Sequence, residues 1–377
     1  MKNAEKNNTK KRHPLLKGIF ILLTLASALM QSVPLIYSDS FPYGKEFLSI
    51  TGLFFPWFMF INLFFLFFWL TTGKKWFFVS LAALVITAGI PGGYYQINPF
   101  AKELNGDSLK VLTYNVKYLG MDYSKSLEKS KDQILNFLSE ENADIICLQE
   151  FDCLPGTFLE SIDELKSITK TSHYVFTRYY PGLNNSERIL LLTKDKVVNK
   201  GSLSDDHSRR YAVYADILRS GDTIRVINCH LQSIYLREED NLGLEDFRAE
   251  NAGIGVIQVK SKRIYAKLAT AFQKRAAQSD SLVAFIESSP HKIILCGDFN
   301  DTPSSFTYSS VRKHLTDAFR KAGHGSGITF GEQFPAFRID YIFHDPEFSP
   351  SEFTIHRKIK FSDHYPVSSR VYIKHEM

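Results

Sequence analysis

The stretch ILCGDFND, residues 294–301, runs through apolar residues and then places Asp298, Asn300 and Asp301 within four positions. Oxygen-bearing side chains at the tip of a buried strand can hold a cation or move a proton, and strand tips are where α/β folds put their chemistry. The same residue types also build ordinary tight turns, so the rest of the chain decides. Five other apolar runs end in residues that strands disfavour. LTYNV gives Asn115, IICLQE gives Glu150, VINCHL gives His230, RIDYIF gives Asp340, and FSDHYPV carries Asp363 and His364.

Each of these has a plain structural explanation when taken alone. Asn ends strands, a lone His is usually a satisfied core residue, and a lone acid is usually solvated. Of the eleven histidines, only His230 and His364 have a context that points to chemistry. The joint pattern is harder to dismiss: carboxylates and amides from several strand ends can converge on one hard cation through oxygen ligands. Mg²⁺ suits such a set, because it takes one or two carboxylates and keeps positions for water and substrate phosphate. Imidazole would suit zinc, but oxygen donors dominate. Two histidines beside such an ion could donate hydrogen bonds to a phosphoryl group.

The ordered series TYNV, LQE, NCHL, GDFN, RIDYIF and SDHYPV resembles the endonuclease/exonuclease/phosphatase superfamily, which includes deoxyribonuclease I, apurinic/apyrimidinic exonucleases, sphingomyelinases and inositol-polyphosphate phosphatases. The match runs from about Leu109 to Tyr372, with GDFN and SDH its most specific pieces. The resemblance implies a four-layer α/β sandwich of the deoxyribonuclease I type, with two central β-sheets flanked by helices. It makes Glu150 the principal metal ligand, with Asn115 close by and Asp363 near the ion. Asp298 would orient or deprotonate the attacking water, and Asn300 would hold the phosphate. His230 and His364 would stabilise the phosphoryl oxygens or protonate the leaving group, and Asp340 would fix the tautomer of His364. Within SERILLL, a shorter match to deoxyribonuclease I makes Glu187 the partner of His230. The implied cofactor is Mg²⁺, with Mn²⁺ or Ca²⁺ as alternatives. Two departures point away from DNA repair. Lys117 stands where the apurinic/apyrimidinic exonucleases carry an acid, and His230 stands where they carry Tyr.

The elements that would position these residues follow from hydrophobic patterning. Strands are predicted over KVLTYNV, ADIICLQE, HYVFTRYY, RILLLTK, YAVYADILR, TIRVINCHL, HKIILCGDFN, RIDYIFHD and PVSSRVYIK. Helices are predicted over SLEKSKDQILNFLSEENA and over residues 261–289, and the polar stretch 233–260 reads as an inserted loop or short helices. Strands interspersed with helices, without a dominant βαβ repeat, predict an α/β sandwich with sheets inside and helices outside. Cys147, Cys229 and Cys296 lie in apolar runs, and with Cys153 they form no CxxC motif and no disulfide framework.

Before this region lie three charge-free apolar stretches, Gly18–Ser38, Phe47–Thr72 and Trp76–Asn98. Each reaches the roughly 20 residues needed to span a membrane. The expected division is a basic cytoplasmic head at 1–17, an anchor of three transmembrane helices at 18–100, and a catalytic domain at 101–377. Residues 1–100 hold nine Lys/Arg against three Asp/Glu, a surplus of six that leaves residues 101–377 at minus one out of the total of +5. A near-neutral soluble part lacks the electrostatic footprint of a dedicated long nucleic-acid binder. The basic head and the loop TTGKKW predict a cytoplasmic N-terminus, and hence a multi-pass inner-membrane protein whose catalytic domain lies outside the cytoplasm. No charged pair lies inside the apolar stretches, so transport is not indicated.

The expected function is a membrane-anchored, divalent-metal-dependent phosphoesterase acting on phosphodiester bonds, most simply a nuclease. The alternatives are a phospholipid or sphingomyelin head-group phosphodiesterase, or a non-catalytic membrane receptor on the same fold. The expected partners are a phosphodiester substrate (nucleic acid or lipid head group) and the lipid bilayer, with no protein partner inferable.

Overall fold

The apolar runs predicted as strands pair into two sheets stacked face to face. The computed structural model describes residues 14–37, 44, 46–98, 104, 106–120, 127–151, 158–177, 188–205, 210–234, 254–331 and 336–373. Its N-terminal helices are α1 (Pro14–Tyr37), α2 (Glu46–Leu53), α3 (Phe55–Thr71) and α4 (Phe77–Ile86). Then follow β1 (Tyr95–Gln96), β2 (Ser108–Asn115), α5 (Leu127–Glu141), β3 (Ile145–Phe151), α6 (Phe158–Thr169), β4 (His173–Phe176) and β5 (Arg188–Thr193). The chain continues through β6 (Lys196–Ser204), β7 (Arg210–Arg219), β8 (Asp222–His230), α7 (Ile254–Glu287), β9 (Lys292–Asp298) and α8 (Phe306–Arg312). The last elements are β10 (Thr316–Asp317), α9 (Ala318–Ala322), β11 (Gly325–Ser326), β12 (Asp340–His344), β13 (Ser349–Ile355) and β14 (Val367–Tyr372).

One sheet has the order β13–β14–β2–β3–β5–β4 and the other β10–β12–β9–β8–β7–β6. Each holds one parallel pair at its centre, β2 with β3 and β8 with β9, and antiparallel pairs elsewhere. A parallel pair needs a crossover. Helix α5 lies in the crossover between β2 and β3, and α7 in that between β8 and β9. The two parallel pairs bring the C-terminal ends of β2, β3, β8 and β9, and so Asn115, Glu150, His230 and Asp298, to one rim.

Burial on alternating positions explains the layering. Val111, Cys147, Leu191, Val226, Ile294 and Val367 fill the space between the sheets. The outer face of the first sheet, through Leu112, Ile146 and Leu190, packs on Ile134 and Leu138 of α5 and Ile162 and Leu165 of α6. On the second sheet, Ile227, Leu295 and Phe343 pack on Leu282 and Ile286 of α7 and Val311 of α8. The result is helices, sheet, sheet, helices. Strands β6 and β13 and helix α6 were not predicted. Both strands lie at sheet edges and consist mainly of exposed or half-buried residues, so they lack an apolar run. Helix α7 begins earlier than expected, at Ile254, and residues 235–253 of the presumed insertion lie outside the described residues. Cys147, Cys229 and Cys296 are free and buried, while Cys153 lies outside the described residues.

The N-terminal region differs from the expectation of three spans. Among the described residues, one helix, Leu15–Ile36, is long and apolar enough to cross a membrane. The second stretch breaks at Phe54 into α2 and α3, which meet at 66°. Pro56 sits in the first turn of α3, where proline starts a helix but cannot continue one from before. The third stretch yields only the 10 residues of α4, about 15 Å against a hydrocarbon core of about 30 Å. Gly89, Pro91, Gly92 and Gly93 end it, and the chain turns through a 3-10 helix at Pro91–Gly93 into β1, which pairs with β11.

Polar side chains tie the helices together. Trp69 Nε1 donates to Thr24 Oγ1 at 2.9 Å, Ser27 Oγ to Asn62 Oδ1 at 3.2 Å, and Gln31 Nε2 to Thr87 Oγ1 at 2.8 Å. The helices are fastened directly to the sandwich. Ser304 Oγ donates to the Gly52 carbonyl at 2.7 Å, and Gln273 Nε2 donates to Glu46 Oε1. Arg320 Nη2 donates to the Gly89 carbonyl at 3.0 Å, Arg338 Nη1 to that of Gly93 at 2.9 Å, and Asn98 Nδ2 to that of Gly323 at 2.8 Å.

Candidate active site

Asp298 is the last residue of β9 and stands in register between His230, the last residue of β8, and Asp340, the first of β12. The glycine before it is required. Gly297 has φ +141°, and a Cβ there would lie 1.9 Å from the Cys229 carbonyl oxygen. The neighbouring strand therefore approaches closely only because position 297 has no side chain. Beyond the strand, Asp298 Oδ1 accepts from the Asn300 backbone N–H at 2.8 Å, and Asn300 Nδ2 donates to the Leu231 carbonyl at 3.1 Å. Asn300 has φ +52°, a conformation asparagine tolerates better than most residues.

From the other sheet come Asn115 and Glu150. The ladder between β3 and β5 shifts register between Leu148 and Phe151, and Glu150 itself has φ +50°. A left-handed glutamate in a strand is strained and persists only where the surroundings enforce it. Asn115 Nδ2 bridges the two sheets, donating at 3.0 Å to Glu150 Oε1 and at 3.0 Å to Asp298 Oδ2. His230 Nε2 lies 3.6 Å from Glu150 Oε1 and 3.7 Å from Asp298 Oδ2, beyond hydrogen-bond distance but close enough for strong electrostatic interaction.

His364 closes the ring. Its Nδ1 lies 2.9 and 3.1 Å from the two carboxylate oxygens of Asp340, and its Nε2 lies 3.7 Å from Asp298 Oδ2. Burial would lower the pKa of His364, but the carboxylates of Asp340 and Asp298 reverse this and hold the imidazole up at about 10. Burial pushes the Asp298 carboxyl up to about 7; Asp340 adds to the rise, while His364 and the Asn115 amide oppose it.

Asp298, Asp340 and His364 offer ligand atoms within 4.8 Å of one another, so this group could hold a metal ion. The wider donor set, with Glu150 and Asn115, is mainly oxygen. Two buried carboxylates, Asp298 and Asp340, and the half-buried Glu150 gather there, which a divalent cation would balance. Asp363, expected near the metal, pairs with Lys117 Nζ at 2.7 Å, and its charge helps to raise the pKa of His364. Lys117, Tyr118 and Leu119 follow Asn115 with φ of 39°, 54° and 59°, a run of left-handed backbone that carries the lysine to Asp363. Glu187 lies outside the described residues.

Sequence reasoning missed the polar struts beneath the rim. Gln149 Nε2 donates to Asn228 Oδ1 at 2.6 Å, and Asn228 Nδ2 donates to the Leu148 and Leu190 carbonyls at 3.1 and 2.9 Å, joining the two sheets under Glu150 and His230. Ser362 Oγ donates to the Asn115 carbonyl at 2.8 Å. The signal was a polar residue inside each apolar run, Gln149 and Asn228.

Residues 112–364 match the Endonuclease/Exonuclease/phosphatase family. The chain belongs to the endonuclease/exonuclease/phosphatase family. It is accordingly a hydrolase of phosphate esters. Residues 14–90 match a domain of unknown function (DUF8431). Similar solved structures include an endonuclease/exonuclease/phosphatase family protein from Leptotrichia buccalis, 19% identical with TM-score 0.45, over 71% of this chain and 100% of that one. TDP2 from Caenorhabditis elegans is 18% identical with TM-score 0.48, over 81% of this chain and 83% of that one. The 3'-5' exonuclease NExo from Neisseria meningitidis is 18% identical with TM-score 0.46, over 69% of this chain and 98% of that one. No curated protein matches the sequence.

Proposed function

We propose that the chain is a membrane-anchored, divalent-metal-dependent phosphodiesterase, most simply a nuclease, whose catalytic domain works outside the cytoplasm. The observation that carries the catalytic part is the convergence of Asn115, Glu150, His230, Asp298 and the Asp340–His364 pair at one rim.

Glu150 and Asn115 would hold Mg²⁺, with Mn²⁺ or Ca²⁺ as alternatives, and the bound ion would neutralise charge on the phosphoryl oxygens. Asp298 is the base. Its carboxyl, raised to about 7, is poised to accept a proton from an attacking water, and the Asn115 amide and Asn300 N–H fix its oxygens. Asp340 accepts the Nδ1–H of His364 and so fixes the tautomer. The His364 imidazolium then directs Nε2–H to the phosphoryl group or the leaving oxygen. His230 supplies a second donor, and Asn300 lies beside the base to hold the phosphate.

The membrane reading rests on α1 and on charge placement. Lys17 and Lys74 line one cavity at the end of the helices where α1 begins and α3 finishes. The sandwich docks where α1 and α4 finish. That separation agrees with a cytoplasmic basic end and an outer catalytic domain. In this arrangement α1 crosses outward, α3 returns, α2 lies along the surface, and α4 together with its flanking turns carries the chain back beside α1, from Lys74 near Lys17 to Ile90 near Pro34. The buried ties of Thr24, Ser27 and Gln31 to α3 and α4 favour a retained anchor over a cleaved leader. A lipid head-group phosphodiesterase remains the second reading, favoured by the direct seating of the sandwich on the helices.

Plasmid DNA, RNA, sphingomyelin and phosphatidylcholine assayed side by side with Mg²⁺ and with EDTA separate these readings. Asp298→Ala and His364→Ala should each lower hydrolysis on the order of a hundredfold or more, with circular dichroism unchanged. Near-normal rates in either variant would refute the assignment.

A further inference from the structure

A cavity of about 330 Å³ lies at the seam between the helices and the sandwich, lined by other residues than the catalytic rim. Its two walls differ in chemistry. The ends of α1 and α4 contribute Pro34, Leu35 and Ile86, with Leu35 and Ile86 exposed and apolar. The sandwich contributes Arg312 and Lys313 at the end of α8 and Arg320 of α9. No carboxylate lines it among the described residues. Arg320 is held in place by its hydrogen bond to the Gly89 carbonyl. Arg312 and Lys313 are exposed.

We infer that this cavity binds the head group of an anionic phospholipid, with the phosphate between Arg312, Lys313 and Arg320 and the acyl chains along the apolar ends of α1 and α4. The inference rests on the proposed anchoring, since only then does the seam lie at head-group depth. The charge argues for the occupant. Three cations, with no carboxylate among the described lining residues, favour an anion, and the adjoining apolar helix ends favour one that carries hydrocarbon. A lipid so placed would act as structural cement rather than as substrate. It would touch Pro303 and Ser304, in the same loop that begins at Asp298.

The test uses the full chain in detergent, exchanged into mixtures of phosphatidylglycerol and phosphatidylcholine, with retained lipid read by native mass spectrometry. Wild type should keep phosphatidylglycerol over phosphatidylcholine by at least about fivefold, the contribution of a single basic residue near an anionic surface. Arg312→Gln/Lys313→Gln should lose that preference while hydrolysing a soluble phosphodiester at the wild-type rate. Equal retention of both lipids, or a preference unchanged in the double variant, overturns the inference. So does a variant-sensitive thermal stabilisation by inorganic phosphate that matches the lipid's, which would mark a free-anion site. Alkaline carbonate extraction separates the two layers of argument. A chain released by carbonate overturns the anchoring, and with it the lipid site. A chain that stays in the membrane and shows no preference overturns the lipid site alone.

Discussion

At the scale of single residues, the catalytic candidates were legible because their types contradict their surroundings: Asp298, His230 and Asp340 interrupt runs that otherwise belong in a core. The pairing of Asp363 with Lys117 was not legible, because it depends on three left-handed residues that no local pattern announces. Gly297 makes the clearest prediction. Gly297→Ala would place a methyl 1.9 Å from a backbone oxygen that cannot move without breaking the parallel pair. The variant should lose about 3 kcal/mol or more of stability, measured by urea denaturation. A second prediction concerns Asp317. Burial raises its carboxyl, but the Arg338 guanidinium, donating at 2.7 and 2.8 Å, outweighs this and holds it below the usual carboxylate range. A depressed folded pKa gives stability that is complete above the unfolded value, about 4, and is lost as pH falls through the folded one. Asp317→Asn should therefore cost about 3–5 kcal/mol at neutral pH, because Arg338 is left buried and unpaired. It should also flatten the fall in melting temperature below about pH 4. A variant with an unchanged acid limb would remove Asp317 from the account.

At the scale of elements, the central strands were readable and the edges were not. Strands β2, β3, β8 and β9 are buried on both faces and appear as continuous apolar runs. Strands β6 and β13 each pair with a single neighbour, so little apolar surface is needed to hold them. Hydropathy also overran the third apolar stretch, because it counts residues and does not register that Gly89 and Pro91–Gly93 stop a helix. The hydrogen bonds from α1 to α3 and α4 bear on processing. If α1 is a working part of the bundle, the intact mass of the purified chain should include residues 14–37. A mature chain starting after Tyr37 would mark α1 as a leader.

At the scale of the whole molecule, topology is the decisive property. If the basic ends are cytoplasmic, as proposed, protease added to the outer face of spheroplasts should digest the sandwich and leave the N-terminal helices as a protected remnant. Protection of the sandwich there, with digestion only after lysis, would reverse the orientation. Gly52, Gly89 and Gly93 each lend a carbonyl to a side chain of the sandwich, and β1 pairs with β11. Bolted at these points, the hydrolytic rim has no leash on which to swing. If the chain is anchored as proposed, its standoff from the lipid plane is a built-in constant, so reach cannot be traded for mobility. Only molecules that reach that one shallow stratum would then meet the catalytic groups.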